Sequence, residues 1–560
     1  MHRSYSLHRR AFLGGALGLG AAGLFPAWAQ SGSPGLTTLS GDDIRLSVGH
    51  SHFTVGGRAG HAITVNGTLP APLIRLREGQ NVRLHVTNHL DEDTSIHWHG
   101  LLLPFQMDGV PGISFPGIRP HETFTYEFPV RQSGTYWYHS HSGLQEQSGH
   151  YGPIVIDPAG ADPVAYDREH VIVLSDWSFL HPHQIMAKLR QEAGYFNRNR
   201  MTLAGRLSGD TEQQMSASDR QMFAQMRMDP TDILDVNGTT YTYLINGHGP
   251  DENWTGLFAP GERVRLRIIN ASAMTIFNIR LPGLPMEVVS ADGIDVRPVR
   301  VDELQISVAE TYDVIVQPTG AQAYTLVAEA MDRSGLCRAT LAPRLGMSAP
   351  VPPLRDRPVL TMTDMGMGGD HAGMGHSMRD GVAAPQVDLN PGVDMIAPMP
   401  RDRTGEPGLG LADVGHRVLT YRDLMALTPN ADTRPPTRTV EVHLTGNMER
   451  FMWSFDGRRF SENPEPLRFE RNERVRVRLI NDTMMAHPIH LHGHFFELVN
   501  GHSGSHPQKH TVNVLPGGIV DFDLTADAPG DWAFHCHLLF HMHAGMMRTV
   551  TVRPMDGEAA

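Results

Sequence analysis

REGQNVRLHVTN at residues 77–88, APGERVRLRIIN at 259–270 and ERNERVRVRLIN at 470–481 are three versions of one segment. Each ends on asparagine and alternates apolar with polar positions: Val82, Leu84, Val86; Val264, Leu266, Ile268; Val475, Val477, Leu479. A period of two marks a strand with one face in a core and the other towards water. About fifty residues after each copy stands a glycine (Gly134, Gly320, Gly530) followed by a short aromatic or β-branched run, a repeat too long for a solenoid. Three related β domains are therefore expected. Short strands with many intervening glycines and prolines point to Greek-key sandwiches.

The chain divides accordingly into a signal peptide at 1–29, domains at 30–165, 166–345 and 416–560, and a linker at 346–415. Arg3, Arg9 and Arg10 precede an apolar Gly/Ala-rich run, and Ala27-Trp28-Ala29 offers a small-x-small cleavage site, the pattern of an export signal. Arg9-Arg10 followed by Phe12-Leu13 resembles a twin-arginine signal; a Sec signal carrying two arginines is the alternative. Either route implies the periplasm, and no later stretch is long and apolar enough to span a membrane. In the second domain, 183–194 and 218–229 hold helix formers and predict a helical excursion within 176–230. Residues 346–415 are rich in Pro, Gly, Met and Asp without periodicity, as in a linker or long loop.

The 560 residues carry a net charge of −13, which argues against nucleic acid as a partner. Two cysteines, Cys337 and Cys536, exclude a disulfide scaffold. What stands out is 32 His and 28 Met, the imidazole and thioether donors of borderline and soft metals. Composition points to copper.

Four clusters hold the chemistry: His97-Trp98-His99, His139-Ser140-His141, His487-Pro488-Ile489-His490-Leu491-His492, and His535-Cys536-His537 with His541 and Met546 behind it. On a strand, residues i and i+2 share a face, so each His-x-His pair aims two imidazoles to one side. Two pairs lie in the first domain and two in the third. Eight imidazoles converge only if those domains face each other, with the second as spacer and support. Cys536 must point away from His535 and His537. His487, Cys536 and His541, with Met546 as a weak axial ligand, then match a blue-copper site. The remaining eight histidines fit three coppers, and the backbone of Cys536 gives electrons a covalent route between the centres.

These motifs match the four copper motifs of the multicopper oxidases. The chain is most similar to the periplasmic copper-resistance protein A subgroup, through HWHGLLLPFQMDGVPGISFPG (97–117), GTYWYHSHSGLQEQ (134–147), YTYLINGHGPDENWTGLF (241–258), MTDMGMGG (362–369) and NDTMMAHPIHLHG (481–493). The resemblance implies an all-β fold of three cupredoxin-like Greek-key sandwiches and four copper ions. It implies His97 and His490 as type 2 ligands, and His99, His139 and His537 with His141, His492 and His535 as the type 3 ligands. His487, Cys536, His541 and Met546 would be the type 1 set. Asp108 resembles the acid that orients water and relays protons; an Asx-type turn before Gly109 is the alternative. Some relatives place a Glu after the second type 1 histidine, where this chain has Met542.

The resemblance implies oxidation of Cu(I) with reduction of O2 to water. A laccase-type phenol oxidase and a non-catalytic copper store are the competing functions, and the His–Cys–His bridge speaks against storage. Periplasmic copper-handling proteins are candidate partners. Met362, Met365, Met367, Met374 and Met378 with His371 and His376 suit Cu(I) capture; a flexible linker of drifted composition is the alternative. Asp482, Met484 and Met485 stand just before His487 and are expected to dock substrate copper, in the place where related cuprous oxidases use a Met two residues before this histidine. Thr483 stands where those enzymes have an acid, and simple packing of the methionines under the loop is the alternative. Cys337 reads as a buried small hydrophobe, and His494 as an accessory or surface histidine. His170, His181 and His183 suggest no common geometry.

Overall fold

The computed structural model describes residues 36–208, 215–366, 379 and 381–555. The signal peptide falls outside the described residues, as do Met367, Met374, Met378, His371 and His376. Three pairs of sheets follow one another along the chain. In the first, Asn81–Asn88 lies between a parallel neighbour, Asp43–Val55, and an antiparallel one, Thr123–Pro129. Val264–Asn270 has the same place between Arg168–Ser178 and Thr311–Val316. Arg474–Asn481 has it between Arg438–Asn447 and Gly518–Thr525. A parallel neighbour cannot be reached by a hairpin, so the chain crosses to the opposite sheet and returns.

The three copies differ in what covers their polar face. Arg83 is exposed and Arg476 and Arg478 are half-buried, whereas every residue of Val264–Asn270 is buried, Arg265 and Arg267 included. Arg267 is held by Glu169 at 2.8 Å and Asp313 at 3.0 Å, and donates to Thr135 Oγ1 of the first sandwich at 2.9 Å. Arg75, also of the first sandwich, reaches Glu169 at 2.5 Å. Burial alone would raise the Glu169 carboxyl, but Arg267 and Arg75 hold it at about 2. Buried charge is tolerable when paired and hydrogen-bonded in this way.

The helical excursion consists mainly of Pro182–Gln191 and Ala217–Met226. Pro182 opens the first with its φ preset, and Ile185, Met186 and Leu189 face the core. Ser216 caps the second by accepting from Asp219 N–H at 3.0 Å. The 346–415 segment departs from the linker reading. Its described residues carry little regular structure, yet Leu360, Met362, Met365, Val393, Ile396 and Leu409 are buried along it, and Arg401–Asp402 adds a short strand beside Gly518–Thr525. The described residues form a strap laid against the domains. Met365, expected as a copper-capturing thioether, is fully buried in the apolar core. Cys337 is a free, fully buried thiol, pushed up to about 12 by its burial.

Candidate metal centres

His97–His99 pairs antiparallel with Gly134–His139, setting His97 opposite His139. In the third sandwich His490 lies opposite His535, and Ile489 opposite Cys536. Opposed residues share a face, so His490 and His535 project to one side of the sheet and Cys536 to the other, with His487. The first and third sandwiches meet here. Gly530 (φ 155°) lets them close, since a Cβ there would sit 2.9 Å from the Phe105 ring.

In the first assembly five of the eight rings are tied outward through Nδ1. Nδ1–H of His97 donates to Asp108 O at 2.8 Å, that of His490 to His510 O at 2.7 Å, that of His535 to Cys536 O at 3.0 Å and that of His492 to Asp108 Oδ2 at 2.9 Å. His139 Nδ1 lies 2.7 Å from Glu146 Oε2. Fixing the proton on Nδ1 leaves the Nε2 lone pair facing inward. His492 and His141 Nε2 lie 3.0 and 3.5 Å from His535 Nε2. Nε2 of His97, His139, His490 and His537, and Nδ1 of His99, are buried with no partner among the described residues. Burial first, then neighbouring imidazoles, lowers the pKa of His99, His139, His141, His490, His492 and His537 well below the usual value. Neutral, converging, unpartnered nitrogens are the donor set of a metal cluster.

The second assembly inverts the rings. His541 Nε2 lies 2.6 Å from Asp235 Oδ2. His487 Nε2 lies 2.7 Å from the Thr483 hydroxyl, which itself donates to Asn481 Oδ1 at 2.9 Å and so accepts from the imidazole. Here Nδ1 faces inward: His487 and His541 Nδ1 lie 3.5 and 3.9 Å from Cys536 Sγ. Met546 is fully buried, and its carbonyl accepts from Cys536 N–H at 3.0 Å. Burial raises the Cys536 thiol, so the thiolate needs a cation to form. No ion is part of this structure, and both donor sets fit copper.

Asp108 is buried at 1% exposure, its Oδ2 on His492 and its Oδ1 3.4 Å from His97 Nδ1. The turn beside it rests on Gly109 (φ 81°), where a Cβ would fall 1.8 Å from Ile96 O. The expected copper dock before His487 is corrected. Met484 and Met485 are buried in the core at 0% and 1% exposure. The Asp482 carboxylate is spent on His443 Nδ1 at 2.6 Å and Ala397 N–H at 2.9 Å. Packing under the loop explains these methionines. His494 is buried behind His492, its Nδ1 3.2 Å from that residue's carbonyl. His170 is a buried histidine donating to Leu257 O at 2.8 Å.

Sequence reasoning missed Asp235, Glu146 and the role of Thr483. Glu146, in GLQEQ just after His141, was within reach as an acid beside a ligand pair; Asp235 lies 306 positions from His541 and left no local signal. The middle sandwich is thus more than a spacer: it supplies Asp235 to one assembly. Its Asp292 also accepts from the His510 and Thr511 N–H groups at 3.2 and 3.1 Å and binds Lys509 at 3.0 Å, beside the other assembly.

Multicopper oxidase family models match residues 47–161, 168–343 and 433–556. Copper resistance protein A of Escherichia coli is 48% identical over 97% of this chain and 99% of its own. A copper resistance protein A homolog of Pseudomonas syringae pv. tomato gives the same figures. Multicopper oxidase MmcO of Mycobacterium tuberculosis is 33% identical over 96% of this chain and 95% of its own. The laccase of Botrytis aclada shares the fold with a TM-score of 0.64 at 21% identity, over 94% of this chain and 89% of its own. Three sandwiches, two inward-facing donor sets and these relatives agree: the chain belongs to the multicopper oxidase family, oxidoreductases that work with bound copper.

Proposed function

We propose that this chain is a periplasmic oxidase of copper resistance, exported by its amino-terminal signal, that oxidises Cu(I) to Cu(II) and reduces O2 to water. Four Cu(I), one O2 and four protons give four Cu(II) and two waters. His487, Cys536, His541 and Met546 would hold a type 1 ion, and His97 and His490 a type 2 ion. His99, His139 and His537 with His141, His492 and His535 would hold a type 3 pair. This division is supported by the ligand atoms of each type 3 trio, and of His487, Cys536 and His541, lying within 4.8 Å of one another. Copper held by these residues would supply one-electron redox chemistry.

The chain's own groups do the rest. Peptide bonds join Cys536 to His535 and His537, so the electron path from one assembly to the other is covalent. Asp235 and Thr483 hold the proton of His541 and His487 on Nε2, keeping Nδ1 for the metal. Asp108 is placed to carry a proton on Oδ1 or Oδ2 to the space between His97 and His492, and Glu146 orients His139.

The single observation that carries Cu(I) over a phenol is closure of the electron-entry edge: His487, His541 and Asp235 are all fully buried. An aromatic donor would have to touch an imidazole edge that is covered, whereas an ion needs only a narrow path. The names of the relatives at 48% identity support the same reading. Met367 and Met374 are proposed to capture Cu(I) for it. The test is O2 uptake by fully copper-loaded protein with Cu(I) or 2,6-dimethoxyphenol as donor. The expected kcat/KM is at least about tenfold higher for Cu(I); the reverse order would make the chain a phenol oxidase.

A further inference from the structure

A second concentration of imidazoles lies on the outside of the molecule. His52 is opposite His61, and His50 opposite Ile63, in the pairing of Asp43–Val55 with Arg58–Val65. His50, His52 and His61 therefore share the exposed face of that hairpin. The rings of His50 and His61 are 4.7 Å apart. Across from them, at the start of the helix Pro182–Gln191, His181 and His183 stack at 5.3 Å. His50, His61, His181 and His183 line one surface pocket of about 360 Å³, with Asp91, Glu92 and Asp93 at its rim.

We propose that these four histidines form a separate site for a borderline divalent cation, Cu(II) or Zn(II). Imidazoles favour that class of ion, and carboxylates neutralise its charge. The rings of His50, His61 and His183 make no hydrogen bond with described residues, and the ring of His181 serves only to cap the helix Pro182–Gln191. His61 is held below its ordinary pKa by partial burial and then by His50, His181 and His52, so imidazoles from both sides of the pocket crowd it. The helix start puts partial positive charge at the pocket, which Asp91, Glu92 and Asp93 offset. All four histidines are exposed, so their rings are free to turn towards the pocket they share. His181 now accepts from His183 N–H through Nδ1 at 3.3 Å, a long cap that ligation would replace.

The site joins two sandwiches, for His50 and His61 come from the first and His181 and His183 from the second. It also borders Ser142–Gln145, the loop that leaves His141. The inference does not depend on the donor proposed above.

The test uses copper-loaded holoprotein, freed of loose metal and assayed for its metal content, then titrated calorimetrically with Zn(II) and separately with Cu(II). One added equivalent is expected to bind. His50→Ala/His61→Ala should weaken that binding at least tenfold, as should His181→Ala/His183→Ala. His52→Ala, on the same face but outside the pocket lining, should bind like the parent. Asp91→Asn/Asp93→Asn should weaken it less than either histidine pair. Oxidase turnover should stay as in the parent in every variant, which separates this site from the resident metal. His181→Ala/His183→Ala, which also removes the cap of Pro182–Gln191, should lower the melting temperature slightly. Absence of an added equivalent, or binding by both histidine double variants at parental strength, would overturn the site. Preference for Zn(II) or Cu(II) in the two titrations assigns the ion.

Discussion

The two metal assemblies share the strand Gly530–Cys536 and are built in opposite ways. The eight-histidine assembly exists only where the first and third sandwiches touch; most of its rings are tied outward through Nδ1 and face inward through Nε2. The Cys536 assembly takes all its metal donors from the third sandwich, is tied outward through Nε2 and faces inward through Nδ1. An interface-made site depends on how two domains dock. A site made within one domain depends on a loop and a helix turn, and tolerates small errors of docking.

The largest effect expected from breaking this arrangement is that of Cys536→Ser. Serine fills nearly the same volume, so the melting curve should hold, while thiolate charge-transfer colour and turnover both disappear. A variant still intensely blue would show that Cys536 is not the donor. His97→Ala or His490→Ala should act on the other side only. O2 uptake should fall by at least about a hundredfold, with the blue band present and still bleached anaerobically by reductant. Selective loss of the blue band would mean the two assemblies are not separable. The smallest effect is expected of Asp235→Asn, which keeps an acceptor for the His541 Nε2 proton but removes the charge. Donor oxidation should slow by about tenfold with colour retained, and unchanged stopped-flow reduction would leave Asp235 a packing residue.

Much of this was legible because strand alternation is a strict code. HWH, HSH and HCH each state which side chains share a face, and the 77–88, 259–270 and 470–481 copies state where the sandwich strands lie. What failed to show in the sequence lacks a period. The described residues of 346–415 follow an irregular path over the domains, so their buried positions, Met362 and Met365 among them, recur at no fixed interval. Composition then suggested exposure where packing had taken the thioethers. Met484 and Met485 misled for a similar reason, since thioethers suit copper and cores equally. Asp235 and the four outer histidines owe their meaning to contacts between domains, which no local pattern encodes.

The buried salt links of the middle sandwich can be regarded as a machinist's gauge. Arg267 and Asp313 grip Thr135, four residues ahead of His139 on the same strand. Asp292 grips the His510 and Thr511 amides, next to the carbonyl that orients His490. Each grip is all-or-none, because a slip of one residue would strand a charge away from water at a cost of several kcal/mol. A ligand cage needs its donors placed to within about 0.5 Å, finer than apolar surfaces sliding on each other would set. The sandwich that carries none of the eight histidines thus sets the tolerance to which the other two are assembled.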